Sequence, residues 1–216
     1  MGRSATSLTL FPADAEAPPL NALAARTGKL LPPDGSTSAK APRVTEVAAH
    51  ESAKDAAVLV AIGADHEGVP ALLLTVRATH LSAHAGQVAL PGGKIEAGET
   101  PAMAALREAA EEVALPEDAA TVLGTAETYL TRTGFAVVPV IARIDRPVTL
   151  TANPGEVSSV FAVPLSELLE RARWRRGRIV HRGMVHRYFE TISQGHRIWG
   201  VTAGILRSVH YKLYGP

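Results

Sequence analysis

The sequence predicts an α/β fold in which helices cover both faces of a mixed β-sheet. Short apolar runs rich in Val, Leu, Ile and Ala recur between residues 56 and 165, as expected for buried strands. Segments with helical periodicity begin near residues 100, 164 and 199. Strands that alternate with helices in this way form a sheet that is covered on both sides.

The predicted elements follow one another from residue 56 to the end of the chain. Residues 1–42 are rich in Pro, Ala, Gly and Ser, so we expect a poorly ordered N-terminal extension, with at most a short helix over 20–31. Residues 43–216 would form the single domain. The predicted strands are 56–64, 69–78, 121–130, 135–144 and 157–165, the predicted helices are 101–113, 164–174 and 199–214, and 179–192 is predicted to be a hairpin.

The composition excludes several classes of function. The chain has 216 residues, 22 of them basic and 21 acidic, so its balanced charge argues against nucleic acid or a membrane surface as the main partner. It contains no cysteine, which excludes disulfides, a thiolate nucleophile and cysteine-ligated metals. No apolar run reaches the roughly 18 residues of a membrane span, and we expect a cytoplasmic protein.

The helix predicted from Pro101 carries three glutamates on one side. Thr100 would be its N-cap, with proline at the first helical position. With Glu108 set at zero, Glu112 lies at about +40° and Glu111 at about −60° around the helix axis. An apolar stripe on the opposite side is predicted to face the core, formed by Met103, Leu106, Ala110 and Val113.

These glutamates are candidate metal ligands. A solvated helix face is the alternative, but like charges four residues apart repel, and no lysine stands on the neighbouring turns to offset them. A bound cation would remove the repulsion. Carboxylate oxygens favour Mg²⁺ or Mn²⁺, ions that often bridge protein carboxylates and substrate phosphates.

The segment before the helix favours the same interpretation. Gly92 and Gly93 permit a close approach of the backbone, so the carbonyl of Gly92 could become a further metal ligand. Gly98 permits the turn that brings Glu99 to the helix start. Arg107 could then reach Glu99 and hold loop and helix together, the alternative being an ordinary exposed ion pair.

Residues 93–115 resemble the Nudix box, in which a glycine, a glutamate, an Arg-Glu pair and a Glu-Glu pair stand at fixed spacing. Ala114 departs from that pattern, because a glycine is usual there. The resemblance implies a Nudix-type α/β/α sandwich and hydrolysis of a nucleoside diphosphate linked to a variable group. It also implies Glu108 and Glu112 as the principal metal ligands, Glu111 and the Gly92 carbonyl as further ligands, and Glu99 and Arg107 as residues that organise the loop. The matching positions are Gly93, Glu99, Arg107, Glu108, Glu111 and Glu112.

The sequence upstream of this box resembles the coenzyme A pyrophosphatase branch of the family, as does WGVTAGIL near the C-terminus, so the likeness spans roughly residues 44–210. The resemblance implies hydrolysis of coenzyme A or its thioesters to 3′,5′-ADP and 4′-phosphopantetheine or its acyl form. Another Nudix substrate, such as ADP-ribose, NADH or a dinucleoside polyphosphate, is the alternative, and a non-catalytic nucleotide-binding module is a second one. The residues that carry this likeness are Arg77, His84, Gly86, Gln87 and Val88, with Leu90 where phenylalanine is usual.

Several of these residues also have simpler interpretations. Arg77 offers a planar fork suited to phosphate, or it lies on the surface or pairs with a structural carboxylate. His84 could simply bond the backbone, and its spacing from His80 does not indicate zinc because no helix is expected there. Glu156 precedes a strand at a place where related enzymes often carry an extra catalytic or metal-binding glutamate; the alternative is a plain loop carboxylate.

Two further expectations concern surfaces. The basic stretch 171–178 is expected to cap a helix C-terminus and to face solvent, not to bind nucleic acid. The closing helix could pack on its own domain or on a second subunit, so a homodimer is one possibility.

Overall fold

A computed structural model describes residues 6–14, 30–33, 53–181 and 183–215. Its helices are α1 Pro101–Val113, α2 Leu165–Leu169 and α3 Gly200–Tyr214, with 3₁₀ turns at Glu117–Ala119 and Arg171–Arg173. Its strands are β1 Ser7–Leu10, β2 Lys54–Ala64, β3 Pro70–Arg77, β4 Val88–Ala89, β5 Gly92–Lys94, β6 Ala120–Thr125, β7 Tyr129–Leu130, β8 Phe135–Ile144, β9 Val148–Thr151, β10 Val157–Pro164, β11 Arg175–His181, β12 Met184–Ser193 and β13 His196–Trp199.

The centre of the described structure is a mixed sheet in the order β10-β3-β2-β8-β6, extended by β4 beside β3, β5 beside β2 and β7 beside β8. Strands β2 and β8 run parallel, and the other pairs are antiparallel. Alternate residues of a strand point to opposite faces. Leu59 therefore joins the core beneath α1, while its neighbour Val60 joins the core shared with α2 and α3. This arrangement confirms the predicted α/β sandwich.

Helix α1 is rotated relative to the sequence prediction. Met103, predicted to face the core, is 54% exposed. Of the predicted stripe Val113 is fully buried, as expected, and the other buried positions of the helix are Ala104, Ala105, Ala109 and Glu112. Small alanine side chains let the helix axis approach β2 and β5 closely, and this rotation carries Glu112 inward.

The C-terminal third also differs from the prediction. Helix α2 ends at Leu169, and a 3₁₀ turn follows. A hydrogen bond from the Trp174 indole Nε1 to the Leu168 carbonyl, 2.9 Å long, spans this turn. The basic stretch then enters β11, so the expectation that it caps a helix was wrong. The predicted hairpin is present but longer, and β13 makes it a three-stranded sheet.

Two segments of the predicted N-terminal extension pack onto the domain. Strand β1 pairs with β9, and Leu10 is fully buried. The backbone N–H of Leu31 donates to Thr125 O at 2.8 Å. The short helix predicted over 20–31 lies almost entirely outside the described residues. None of the helices within the described ranges is long and apolar enough to cross a membrane.

Candidate metal centre

Helix α1 begins at the predicted cap and ends at a left-handed residue. The hydroxyl of Thr100 accepts a hydrogen bond from Met103 N at 3.3 Å, and Pro101 occupies the first turn. The helix ends at Ala114, which adopts the left-handed conformation with φ 56° and ψ 34°. A left-handed backbone favours glycine, but this chain has alanine at position 114.

Three carboxylates meet between α1 and the loop before β10. One oxygen from each of Glu108, Glu112 and Glu156 lies within 4.8 Å of the others. Glu112 is only 2% exposed, and its Oε2 accepts a hydrogen bond from the backbone N–H of Gly92 at 3.3 Å. Three carboxylates this close repel one another unless protons or a cation intervene.

Burial raises the pKa of two of these carboxyl groups, Glu108 and Glu112. The pKa of Glu112 is raised from 4.5 to about 8, chiefly by burial and in smaller part by the nearby charges of Glu108 and Glu156. The Gly92 hydrogen bond and the charge of Arg77 act in the opposite direction. The pKa of Glu108 is also raised, chiefly by burial. A buried cluster with perturbed pKa values is typical of a functional site.

Two glycines bring the backbone of β5 against this cluster. A Cβ atom on Gly93 would overlap the carboxylate of Glu108. Gly92 has φ 153°, and a Cβ there would overlap the backbone of Ala57. Gly92 therefore excludes a side chain because backbone is in the way, whereas at Gly93 a side chain would have to displace the Glu108 carboxylate.

Arg107 organises the loop that precedes α1. Its Nε donates to Glu99 Oε1 at 2.7 Å and its NH2 to Glu99 Oε2 at 3.2 Å, the paired geometry that guanidinium and carboxylate favour. A third bond joins NH2 to the Lys94 carbonyl at 3.1 Å. The hydrogen bonds from Arg107, together with one from the backbone of Glu96, lower the pKa of Glu99. The contact expected between Arg107 and Glu99 is therefore present.

Glu111 lies beside Glu108, with which it shares Arg107, but outside the three-carboxylate cluster. It accepts a hydrogen bond from Arg107 NH1 at 3.2 Å, and its side chain is 53% exposed. It does not belong to the three-carboxylate cluster, whose third member is Glu156. The sequence placed all three helix glutamates together, whereas the structure brings together two of them and the loop glutamate.

Asn153 positions Glu156, and sequence reasoning missed it. Its backbone N–H donates to Glu112 O at 2.9 Å, and its amide Nδ2 donates to Glu111 O at 3.2 Å. Its own carbonyl accepts from Glu156 N at 3.0 Å. The signal in the sequence was Asn-Pro-Gly, a typical turn, but the partner on α1 was not readable from it.

The loop after β3 holds Arg77 at the end of its strand. Arg77 N donates to Gln87 O at 2.9 Å, and Gly86 N donates to Arg77 O at 3.0 Å. The His84 Nδ1 contacts Gln87 Oε1 at 3.0 Å, so this histidine bonds a side-chain amide and not the backbone. The guanidinium NH1 of Arg77 lies 3.9 Å from Glu112 Oε1. Hydrogen bonds thus join the loop residues His84, Gly86 and Gln87 to Arg77, beside the carboxylates.

An α/β sandwich with clustered carboxylates under a glycine-rich loop defines a class of hydrolases that cleave pyrophosphate bonds in nucleoside diphosphate derivatives. Residues 53–183 match the NUDIX domain, and the chain belongs to the Nudix family.

Related proteins carry the same family name. The chain is 41% identical over 161 residues, 74% of its length, to "Uncharacterized Nudix hydrolase NudL" of Escherichia coli O7:K1, of which it covers 83%. It is 40% identical over 165 residues, 76% of its length, to the NudL of Salmonella paratyphi B, of which it covers 86%. Among solved structures, RenU, a Nudix hydrolase from M. smegmatis, is 29% identical with a TM-score of 0.44, over 53% of this chain and 72% of that one.

Proposed function

We propose that this protein hydrolyses the pyrophosphate bond of coenzyme A or its thioesters, with Mg²⁺ or Mn²⁺ held by Glu108, Glu112 and Glu156. The observation that carries the proposal is the position of Arg77, a cation at the edge of a buried carboxylate cluster. A metal ion and a guanidinium can bind a diphosphate together, and this site offers ligands for the metal beside the guanidinium of Arg77.

The residues of the cluster fit a divalent cation. Glu112 is buried with one backbone donor and one distant guanidinium, so its charge is poorly compensated by the protein. The side-chain ligand atoms of the cluster are all carboxylate oxygens, which favour Mg²⁺ and Mn²⁺ over softer metals. When bound, such an ion lowers the pKa of a water and neutralises charge that grows on the phosphoryl oxygens. Glu111 would contribute through a water at the rim, and the carbonyl of Gly92 would complete the ligand set.

Arg77 would bind the substrate phosphates. Its side chain is 30% exposed and makes no hydrogen bond to any described residue, and its Nε is buried without a partner. A buried donor without an acceptor is costly, and a phosphate oxygen would satisfy it. His84, Gly86 and Gln87 hold the backbone around Arg77 and would thereby position its fork.

Glu99 and Arg107 would hold the segment before α1 in a fixed position relative to the helix. Their paired hydrogen bonds are partly shielded from solvent, with Arg107 24% and Glu99 14% exposed. Because Glu108 also contacts Arg107, at 3.2 Å, the same arginine fixes one ligand of the cluster.

In the proposed reaction, water adds to one phosphorus of the diphosphate while the bridging P–O bond breaks. Coenzyme A and one water would thus give 3′,5′-ADP and 4′-phosphopantetheine, and a thioester would give the acyl form.

A substrate panel tests the proposal. Purified protein with Mg²⁺ or Mn²⁺ is incubated with coenzyme A, acetyl-coenzyme A, ADP-ribose, NADH and a dinucleoside polyphosphate, and the products are separated by chromatography. We expect the highest kcat/KM for coenzyme A or its thioester, with 3′,5′-ADP as product. Cleavage of ADP-ribose with coenzyme A untouched would contradict the substrate assignment, and binding without any turnover would indicate a non-catalytic module.

A further inference from the structure

Two arginines, Arg176 and Arg207, lie over one aromatic ring, and the positive charge of a third, Arg171, acts on Arg207. Arg171 lies in the 3₁₀ turn, Arg176 in β11 and Arg207 in α3. The guanidinium carbon of Arg207 lies 4.8 Å from the centroid of the Phe189 ring, and that of Arg176 lies 5.8 Å from it. We call Arg171, Arg176 and Arg207 the arginine cluster.

Within the described parts of the chain, no carboxylate forms an ion pair with the arginine cluster. Nearby arginines are different: Arg173 pairs with Glu170 at 2.7 Å, and Arg197 pairs with Glu190 at 2.6 Å. The fold therefore supplies carboxylates to other arginines of this region and none to these three.

Arg207 is the most constrained member of the cluster. Its Nε is buried and has no hydrogen-bond partner among the described residues. Burial lowers the pKa of Arg207, and the positive charges of Arg171 and Arg176 lower it further. A guanidinium held against two like charges with an unsatisfied buried donor destabilises the free protein. An anion would relieve both the repulsion and the missing hydrogen bond.

The arginine cluster is separate from the metal centre. Arg171 follows α2, which begins where Pro164 pairs with Ala71 at the start of β3. Arg77 lies at the other end of that strand, roughly 20 Å from Ala71 at about 3.3 Å per residue. Arg207 also lies in the helix that covers the face of the sheet opposite to α1. One diphosphate could not occupy both places.

We infer that the arginine cluster binds the phosphate group of a small phosphorylated ligand at a second site, independent of the metal centre. A phosphate monoester carries a charge of about −2 and three acceptor oxygens, which suits several converging guanidinium forks better than a single carboxylate does. The Phe189 ring contacts two of these guanidiniums, those of Arg176 and Arg207.

Calorimetry and thermal unfolding with inorganic phosphate test the inference. The protein is kept free of metal with EDTA, at constant ionic strength, so hydrolysis has no part in the readout. The test variant is Arg171→Gln/Arg176→Gln, because both side chains are exposed. The control is Arg175→Gln, on the same strand but pointing to the opposite face of the sheet.

We expect phosphate to raise the Tm of the unchanged protein and of the control, and the double variant to bind phosphate at least about tenfold more weakly. In phosphate-free chloride buffer the double variant should be as stable as the unchanged protein or more stable, because repulsion of Arg207 is relieved. Glycerol 3-phosphate, compared with inorganic phosphate, then distinguishes an ester from the free anion as the preferred ligand.

Equal phosphate binding in the double variant, or no phosphate binding in the unchanged protein, would overturn the inference. Loss of stability of the double variant in phosphate-free buffer would do so as well, since it would mean that the arginines have a structural role. None of these outcomes bears on the hydrolysis of coenzyme A, which the substrate panel tests separately.

Discussion

The guanidinium of Arg77 faces the carboxylate of Glu112 at 3.9 Å, too far for a hydrogen bond. Glu112 lies in the last turn of α1, whereas Arg77 ends β3, so two distant parts of the chain place opposite charges together without joining them. The charge of Glu112 is thus left for another cation to balance, and the donors of Arg77 are left for an anion. This relationship underlies the predictions below.

The first prediction concerns Glu112→Gln, which keeps the shape of the side chain and removes its charge. We expect kcat for pyrophosphate hydrolysis to fall more than about a hundredfold, because a ligand of the metal is lost. Measured at pH 9, where Glu112 of the unchanged protein is ionised, the Tm of the metal-free variant should be higher, since a buried charge is removed. Glu96→Gln, an exposed loop position, is the control and should leave kcat unchanged. Full activity in Glu112→Gln would contradict the assignment.

The second prediction concerns pH. The pKa of Glu112 is raised from 4.5 to about 8, so between these values the folded metal-free protein holds a proton that the unfolded chain has released. Its contribution to stability is complete below pH 4.5 and is lost as pH rises through about 8. The free energy of unfolding, measured with urea from pH 5 to 9, should contain this falling contribution, and Glu112→Gln should lack it.

The same proton opposes metal binding. Because the metal requires the carboxylate, the affinity for Mn²⁺ should rise with pH up to about 8 and then level off. Calorimetry in two buffers of different ionisation enthalpy would measure the proton released. Binding without proton release at pH 6.5 would show that Glu112 is not a ligand.

The third prediction concerns Gly93→Ala. The new methyl group would displace the Glu108 carboxylate, so both Mn²⁺ affinity and kcat should fall. Gly98→Ala is the matched control in the same loop: its φ of 88° strains an alanine, but no atom lies within 4 Å of the added Cβ. That variant should lose stability of about 1 kcal/mol and keep its metal affinity. The reverse pattern would show that Glu108 is not positioned against this backbone.

The fourth prediction concerns the end of α1. Ala114→Gly should stabilise the protein by about 1 kcal/mol, because glycine adopts the left-handed conformation without steric cost. For a chain of this size the Tm should rise by about 2–4 °C. Ala110→Gly, inside the helix, should lower it by a similar amount. A lower Tm in Ala114→Gly would mean that the Ala114 methyl group makes a stabilising contact.

The parts of the site that sequence reasoning predicted are local. The start of α1 at Pro101 follows from capping chemistry, and the pairing of Glu99 with Arg107 follows from a turn and two helical turns. Arg77 was reached through family resemblance, and its place beside Glu112 required the sheet.

The parts that could not be predicted depend on packing between distant elements. A helical wheel places side chains relative to one another but does not fix which face meets the sheet, so the burial of alanines and the exposure of Met103 were not foreseen. The position of Glu156 depends on Asn153 bonding the backbone of α1, a contact across 41 residues of chain (153 − 112) that no local pattern contains.

Crystals of the protein soaked in Mn²⁺ and measured for anomalous scattering test the central claim most directly. We predict an anomalous peak between Glu108, Glu112 and Glu156, with an oxygen of each within bonding distance and Arg77 at its edge. No peak there at saturating Mn²⁺, or a peak whose ligands come from other residues, would contradict the account.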